Sequence, residues 1–368
     1  MLVRRFFAVT VVFFSLSPSF IYAQEGRVRD IRLSHADSLA LQVKYDGNIV
    51  SLTKQLTARY TDEVLKARAI FIWITGHIAY DYKYYNRHAD RGEDPVTFDC
   101  PSDDTLACII KEKVWENEYI NKALDKERAV CQGYAMLFKR MCDIAGLHAE
   151  VIPGYTRTEY YEVGTPGELD HAWNVVQLNG NYYLLDATWA AGFCLKDDND
   201  KLTHFVKHFD DYYWLTPAEE FAKNHFPLDP KWVLIPRYTK ETFSANPYYS
   251  PDDIGDIKVL APASGLVKAK KGDTIRFKLK YAGYIRQLQI NTNIFTNPDI
   301  YYHVFDCKRC FPRTVTDTLA IKKQQYIPFS RQDDTYDFVY VVRDYTLEYM
   351  DIMFDRRRIL RFKVADKR

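Results

Sequence analysis

After its first two dozen residues the 368-residue chain contains no long apolar run, so no later segment can cross a bilayer as a helix. Neither sign of charge is in excess: 50 Lys and Arg against 49 Asp and Glu leave a formal +1. A nearly neutral chain has no global field to attract nucleic acid or an anionic membrane, and neither is expected as a partner. Internal repeats and low-complexity tracts are missing, which excludes solenoids and arrays. No acidic loop of the EF-hand kind is present. The single CxxC, "CKRC" at Cys307 and Cys310, has no second CxxC or His pair to complete a metal site. No metal and no cofactor are expected.

What is plentiful is aromatic. Phe, Trp and Tyr make up 15% of the chain, with 28 tyrosines, a bias toward β-rich architecture or peptide- and carbohydrate-facing surfaces. Hydrophobic residues at 47% and charged residues at 27% are ordinary for a soluble globular protein, and the length suggests two domains.

The opening "MLVRRFFAVTVVFFSLSPSFIYA" places Arg4 and Arg5 before an apolar run and ends on the small residue Ala23. That order reads as a secretory signal peptide over residues 1–23, cleaved before Gln24. The run from Phe6 to Leu16 is too short for a membrane anchor, and Ser17, Pro18 and Ser19 break it. The expectation is an exported protein, periplasmic or extracellular, with no integral membrane segment after cleavage. Cleavage removes two arginines and no acid, which turns +1 into −1. Seven cysteines are an odd number for an exported chain, so at least one thiol is free. If that thiol is Cys131, the other six could pair, with Cys100–Cys108 and Cys307–Cys310 the nearest neighbours. Cys142, in mid-helix, reads instead as a buried thiol.

Residues 24–50 form a polar N-terminal segment. From 52 to 82 the chain reads as one helix, with Tyr60, Val64, Ala67, Phe71 and Ile74 at helical spacing. Residues 86–105 read as loop. "AVCQGYAMLFKRMCDIAG" (129–146) reads as an amphipathic helix closed by Gly146. "LHAEVIPGYTR" follows as strand with a turn at Pro153-Gly154. "DHAWNVVQLNGNYYLLDATW" (170–189) then carries two alternating runs about Asn179-Gly180, the strongest short hairpin signal. A short helix is expected within "YYWLTPAEEFAKNHFPLDPKW". From 246 to 368 short β-rich runs suggest a sandwich of roughly a hundred residues. Its tail, 355–368, reads as an edge strand with one solvated face.

The hairpin makes a geometric prediction. With Asn179 and Gly180 as the loop, Leu178 faces Asn181, Trp173 faces Asp186 and His171 faces Thr188. His171 and Asp186 then lie on one face as diagonal neighbours. An acid that takes a hydrogen bond from one ring nitrogen fixes the tautomer and leaves the other nitrogen for a nucleophile. Cys131 is the candidate nucleophile. In the first turn of a helix it feels the positive end of the dipole, and an imidazolium beside it would favour thiolate further. Gly133 and Ala135 would leave the sulfur uncrowded. Against this, Cys131, Ala135, Phe138 and Cys142 share one helical stripe, the pattern of a core.

The order Cys131, His171, Asp186, in the contexts "VCQGYA", "DHAWN" and "YYLLDATW", resembles the transglutaminase-like superfamily of papain-type cysteine enzymes. The resemblance covers residues 60–235, including "ARAIFIWITGHIAYDY" as the preceding helix. "HFPLDPKW" (225–232) and the β-rich tail look most like its kyphoscoliosis peptidase branch. The resemblance implies an α+β fold: a transglutaminase-like, papain-like domain over 51–245, followed by an all-β immunoglobulin-like sandwich over 246–368. It implies a cysteine peptidase or amidase acting on a peptide or protein substrate, with Cys131 as nucleophile, His171 as proton shuttle and Asp186 as its orienting acid. Glutamine acyl transfer and a catalytically idle scaffold are the rivals. Gln132 stands where animal transglutaminases carry Trp after the nucleophile, which favours hydrolysis. Where papain-like enzymes carry a glutamine six residues before the nucleophile, this chain has Asp125. That leaves the backbone N–H of Cys131 as the default oxyanion donor. Trp173 and Asn174 are assigned to packing.

Overall fold

The computed structural model describes residues 31–88, 105–305 and 312–365. The proposed signal segment, most of the 86–105 loop and the CxxC fall outside the described residues. Among the described residues no helix is long and apolar enough to cross a membrane. The architecture is α+β: helices and a four-stranded sheet come first, and a β-rich region follows.

Two helices occupy the stretch expected to hold one, Ile49–Thr57 and Glu63–His77. Asp62 makes the break. Its Oδ1 accepts from the Val64 and Leu65 amides at 2.8 and 3.4 Å, the bonds of an N-cap that restarts the helix. From Ala67 to Thr75 the second helix is buried on every side, as a helix through the middle of a core must be. It packs against helix Cys131–Ile144, which lies in turn on strands His148–Thr156 and His171–Leu178. The sheet is antiparallel, in the order Asn181–Leu185, His171–Leu178, His148–Thr156, His225–Pro227.

The expected turn at Pro153-Gly154 is absent, and strand His148–Thr156 runs straight through it. Gly154 is there for contact. A Cβ at that position would lie 2.2 Å from the Trp173 ring and 2.5 Å from the Phe226 carbonyl. Gly133 likewise serves packing rather than access to the sulfur, since its Cβ would meet Ala129 Cβ at 2.6 Å.

In the second region two sheets face each other. One has the order Ile257–Ala261, Thr274–Tyr281, Thr335–Val341, Phe329–Gln332, and the other Leu266–Lys268, Arg357–Ala365, Tyr349–Phe354, Leu288–Thr292. Strand Thr274–Tyr281 alternates as a half-buried strand should, with Ile275, Phe277 and Leu279 inward. Phe277 stacks on Phe338 within its sheet at 5.1 Å and meets Phe362 of the facing sheet at 5.2 Å. The tail is not an edge strand. Arg357–Ala365 sits inside its sheet, paired with Tyr349–Phe354 on one side and with Leu266–Lys268 and Tyr248–Tyr249 on the other. Its expected solvated face is covered in part: Ile359 is buried and Arg361 lies beneath the Tyr160 ring of the first region, while Lys363 is exposed. Arg157 holds the chain at residues 243–246, just before the second region, by donating to the carbonyls of Phe243, Ser244 and Asn246 at 3.0, 3.0 and 2.7 Å.

Candidate active site

Cys131 opens its helix. Val130, the N-cap, has extended backbone and no capping side chain, so no side chain occupies the first-turn amides beside the sulfur. Cys131 is 8% exposed, whereas Cys142 at the far end of the same stripe is wholly buried. Cys131 keeps a small accessible surface at the open end of the stripe, and the rest of the stripe is core. Burial pushes the Cys142 thiol well above its ordinary value, which makes it inert packing.

The hairpin has the expected register from Leu178–Asn181 to Asn174–Leu185. Asn179 and Gly180 both take left-handed backbone, with φ of 50° and 83°, as a two-residue primed turn requires. Pairing then stops three residues short of the forecast His171–Thr188 pair. Asp186 leaves the ladder and caps the short helix Ala187–Ala191, its Oδ1 accepting from the Thr188 and Trp189 amides at 2.7 and 3.2 Å. Its other oxygen still reaches His171, whose Nε2 lies 2.7 Å from Oδ2. The Cys131 side chain lies near enough to the ring to favour its charged form. With Nε2 given to the acid, Nδ1 is the nitrogen left for the sulfur. The sulfur lies 3.8 Å from the Asp170 carbonyl oxygen. Two helix starts and a strand thus bring Cys131 close to a hydrogen-bonded His171–Asp186 pair.

The electrostatics follow from burial and contact. Burial alone would drive the His171 imidazolium down. The Asp186 charge, its hydrogen bond and the Cys131 contact reverse this and hold the ring's pKa at about 10, so it is cationic at neutral pH. Burial would raise the Asp186 carboxyl, but His171 and then His225 overcome it and hold it well below the carboxylate range. Trp189 stands over His171 at 5.2 Å, and Trp173 lies 6.1 Å from it. Asn174 faces the other way, donating to the Ala135 and Glu150 carbonyls at 2.9 and 3.1 Å and so pinning the cysteine helix to the sheet. Asp125 is exposed at the end of helix Thr105–Lys126.

His225 has no counterpart among the expected site residues. Its Nε2 lies 3.2 Å from the same Asp186 oxygen. The signal was on the page as "HFPLDPKW", but nothing local tied that histidine to an acid 39 positions away. His171, Asp186 and His225 place their ligand atoms within 4.8 Å of one another, a spacing that could hold a metal ion. Hydrogen bonding to one carboxylate accounts for that spacing by itself.

Among the described residues three thiols are free, Cys131, Cys142 and Cys194, so the six cysteines other than Cys131 do not all pair. Cys108 is disulfide-bonded.

Residues 104–187 match the model of the transglutaminase-like superfamily, a stretch that includes Cys131, His171 and Asp186. The chain carries a transglutaminase-like domain. It is similar to kyphoscoliosis peptidase of Mus musculus, 30% identical over 227 residues, covering 61% of this chain and 30% of that protein. Kyphoscoliosis peptidase of Homo sapiens is 31% identical over 220 residues, 59% of this chain and 29% of that one. Hillarin of Drosophila melanogaster is 27% identical over 221 residues, 56% and 23% of the respective chains. The chain thus spans about 30% of the length of the first relatives it matches.

Proposed function

We propose that the protein is an exported cysteine peptidase or amidase that cleaves a peptide or carboxamide bond in a peptide or protein substrate. The observation that carries this reading is the His171–Asp186 hydrogen bond close to Cys131, with a cationic ring near a thiol at an uncapped helix start. A positive ring and a helix N-terminus are what a thiolate nucleophile needs. The thiolate attacks the carbonyl carbon, and the first-turn amide of Cys131 takes the developing oxyanion. The C–N bond breaks as His171 gives its proton to the leaving amine, which leaves an acyl thioester on Cys131. Water, deprotonated by His171, then releases the acid and restores the thiolate. The name of the relative in mouse and human favours hydrolysis over amine transfer. The charged N-terminal leader and its small terminal residue favour export.

The test is to trap the acyl-enzyme. Incubation with a broad set of peptides and glutamine amides, followed by mass spectrometry, should give an adduct on Cys131 that is absent from Cys131→Ala. No adduct from any substrate would overturn the reading. Acyl release only when an amine is supplied would replace hydrolysis by transfer.

A further inference from the structure

Asp186 is wholly buried, and its carboxylate takes four N–H groups: two backbone amides on Oδ1, and His171 and His225 on Oδ2. A buried carboxylate needs such saturation to stay charged. The fourth donor comes from strand His225–Pro227, a separate stretch of chain, and is itself built in. His225 is 1% exposed. It stacks on Phe221 at 4.1 Å and meets Trp189 and Trp173 at 4.5 and 5.0 Å. The titratable groups facing it are Asp186, His171 and Tyr213.

The geometry points to His225 as a positioning residue: a neutral imidazole whose Nε2–H locks the Asp186 carboxylate in the orientation that serves His171. This rests on the proposed role of Cys131, His171 and Asp186. The tautomer follows from the partners. Asp186 can only accept, so Nε2 carries the proton of a neutral ring and Nδ1 is left as an acceptor. Asn224 Oδ1 stands 2.7 Å from Nδ1, and Asn224 Nδ2 stands 3.3 Å from the Tyr213 hydroxyl. Turning that amide half over presents its NH2 to the ring and its carbonyl to the Tyr213 O–H, so every member of the chain is satisfied. Burial, aided by the His171 cation and opposed by Asp186, pushes the His225 pKa down to about 4, in keeping with a neutral ring. The two histidines thus divide the acid's work: His171 takes the charge and meets the thiol, while His225 stays neutral and holds the acid still.

The experiment uses full-length protein labelled with 15N-histidine. In the wild type, His225 should show one ring N–H, on Nε2, and take up no second proton between about pH 5 and 8, whereas His171 carries two. A His225 protonated only on Nδ1 would overturn the proposal without any variant. In His225→Phe, which keeps the ring stacking and loses the donor, the His171 N–H resonances should shift. The alkylation rate of Cys131 by iodoacetamide near pH 6 should fall about ten- to hundredfold, as for a lost hydrogen bond to a charged group. His225→Gln, which keeps an N–H, should recover most of both. A folded His225→Phe protein with His171 signals and Cys131 rate unchanged would overturn the positioning role. Failure of the proposed reaction is read separately, from a wild-type Cys131 no faster than a free thiol.

Discussion

Asp186 in the first region and Asp351 in the second are both nearly sealed, at 0% and 2% exposure, and each is surrounded by nitrogen donors. Their donors differ in kind. Asp351 takes Arg361 Nε and Nη2 at 2.5 and 2.7 Å, with Arg358 Nε 3.0 Å away as a second ion-pair partner. Guanidinium does not give up its proton, and its fork matches the carboxylate. The pair sits at a registered position between two strands, Asp351 opposite Arg361, and is roofed by Tyr160. Asp186 takes two imidazoles instead, and one of them feels the nearby Cys131 side chain. The first arrangement can only hold structure. The second can hold structure and also move a proton.

That contrast can be broken or sharpened by substitution. Asp186→Asn should have the largest effect. An amide can still cap helix Ala187–Ala191, but it cannot carry the countercharge for His171. Turnover should fall by about three to four orders of magnitude, the scale seen when a histidine loses its acid, in a steady-state assay on whichever amide traps the enzyme. Arg361→Met should cost up to about 3–5 kcal/mol of stability in urea unfolding, because it takes the two-pronged partner from a buried carboxylate and leaves it only Arg358, and should leave Cys131 alkylation nearly unchanged.

The next difference is one of pH. The His171 pKa is raised from 6.5 to about 10, so its contribution is full below pH 6.5 and is lost as pH rises through 10. The Asp186 pKa is depressed from 3.8, so its share is present above pH 3.8 and is lost as acid protonates it in the folded state. The stability gap between wild type and His171→Gln should therefore be widest between pH 3.8 and 6.5 and should close toward pH 10. The gap between wild type and Arg361→Met should stay flat from neutral pH to 10, because guanidinium does not titrate there. Melting curves across that range measure both. The smallest effect is expected at Asn179→Ala, where a left-handed turn residue loses its preferred side chain at a cost of about 1 kcal/mol, with no change at the thiol.

Much of the site was legible because its signals are local. Asn179-Gly180 set a two-residue loop and the loop set the register as far as Asn174–Leu185; Asp186 then meets His171 from its position as a helix cap. Cys131 at a helix start was equally visible. What escaped depends on contacts between distant segments. The pairing was extended through Asp186 because alternation continues past the point where the residue turns to cap a helix. Gly154 looked like a turn because its reason, the Trp173 ring, lies on another strand. The last strand looked like an edge because its partners on the second side, Leu266–Lys268 and Tyr248–Tyr249, lie far earlier in the chain. His225 was read as part of a closing segment for the same reason. The Asp62 cap was local and was missed because apolar spacing ran unbroken across it.

The most direct measurement compares two free thiols in one molecule. Cys194 is half-buried, and burial holds its thiol up at about 11, so it serves as an internal reference for Cys131. Iodoacetamide labelling of each, followed by peptide mass spectrometry from mildly acid to neutral pH, should show Cys131 modified far faster, with its rate persisting into acid. Cys131 reacting no faster than Cys194, or gaining reactivity only as an ordinary thiol ionises, would contradict the account.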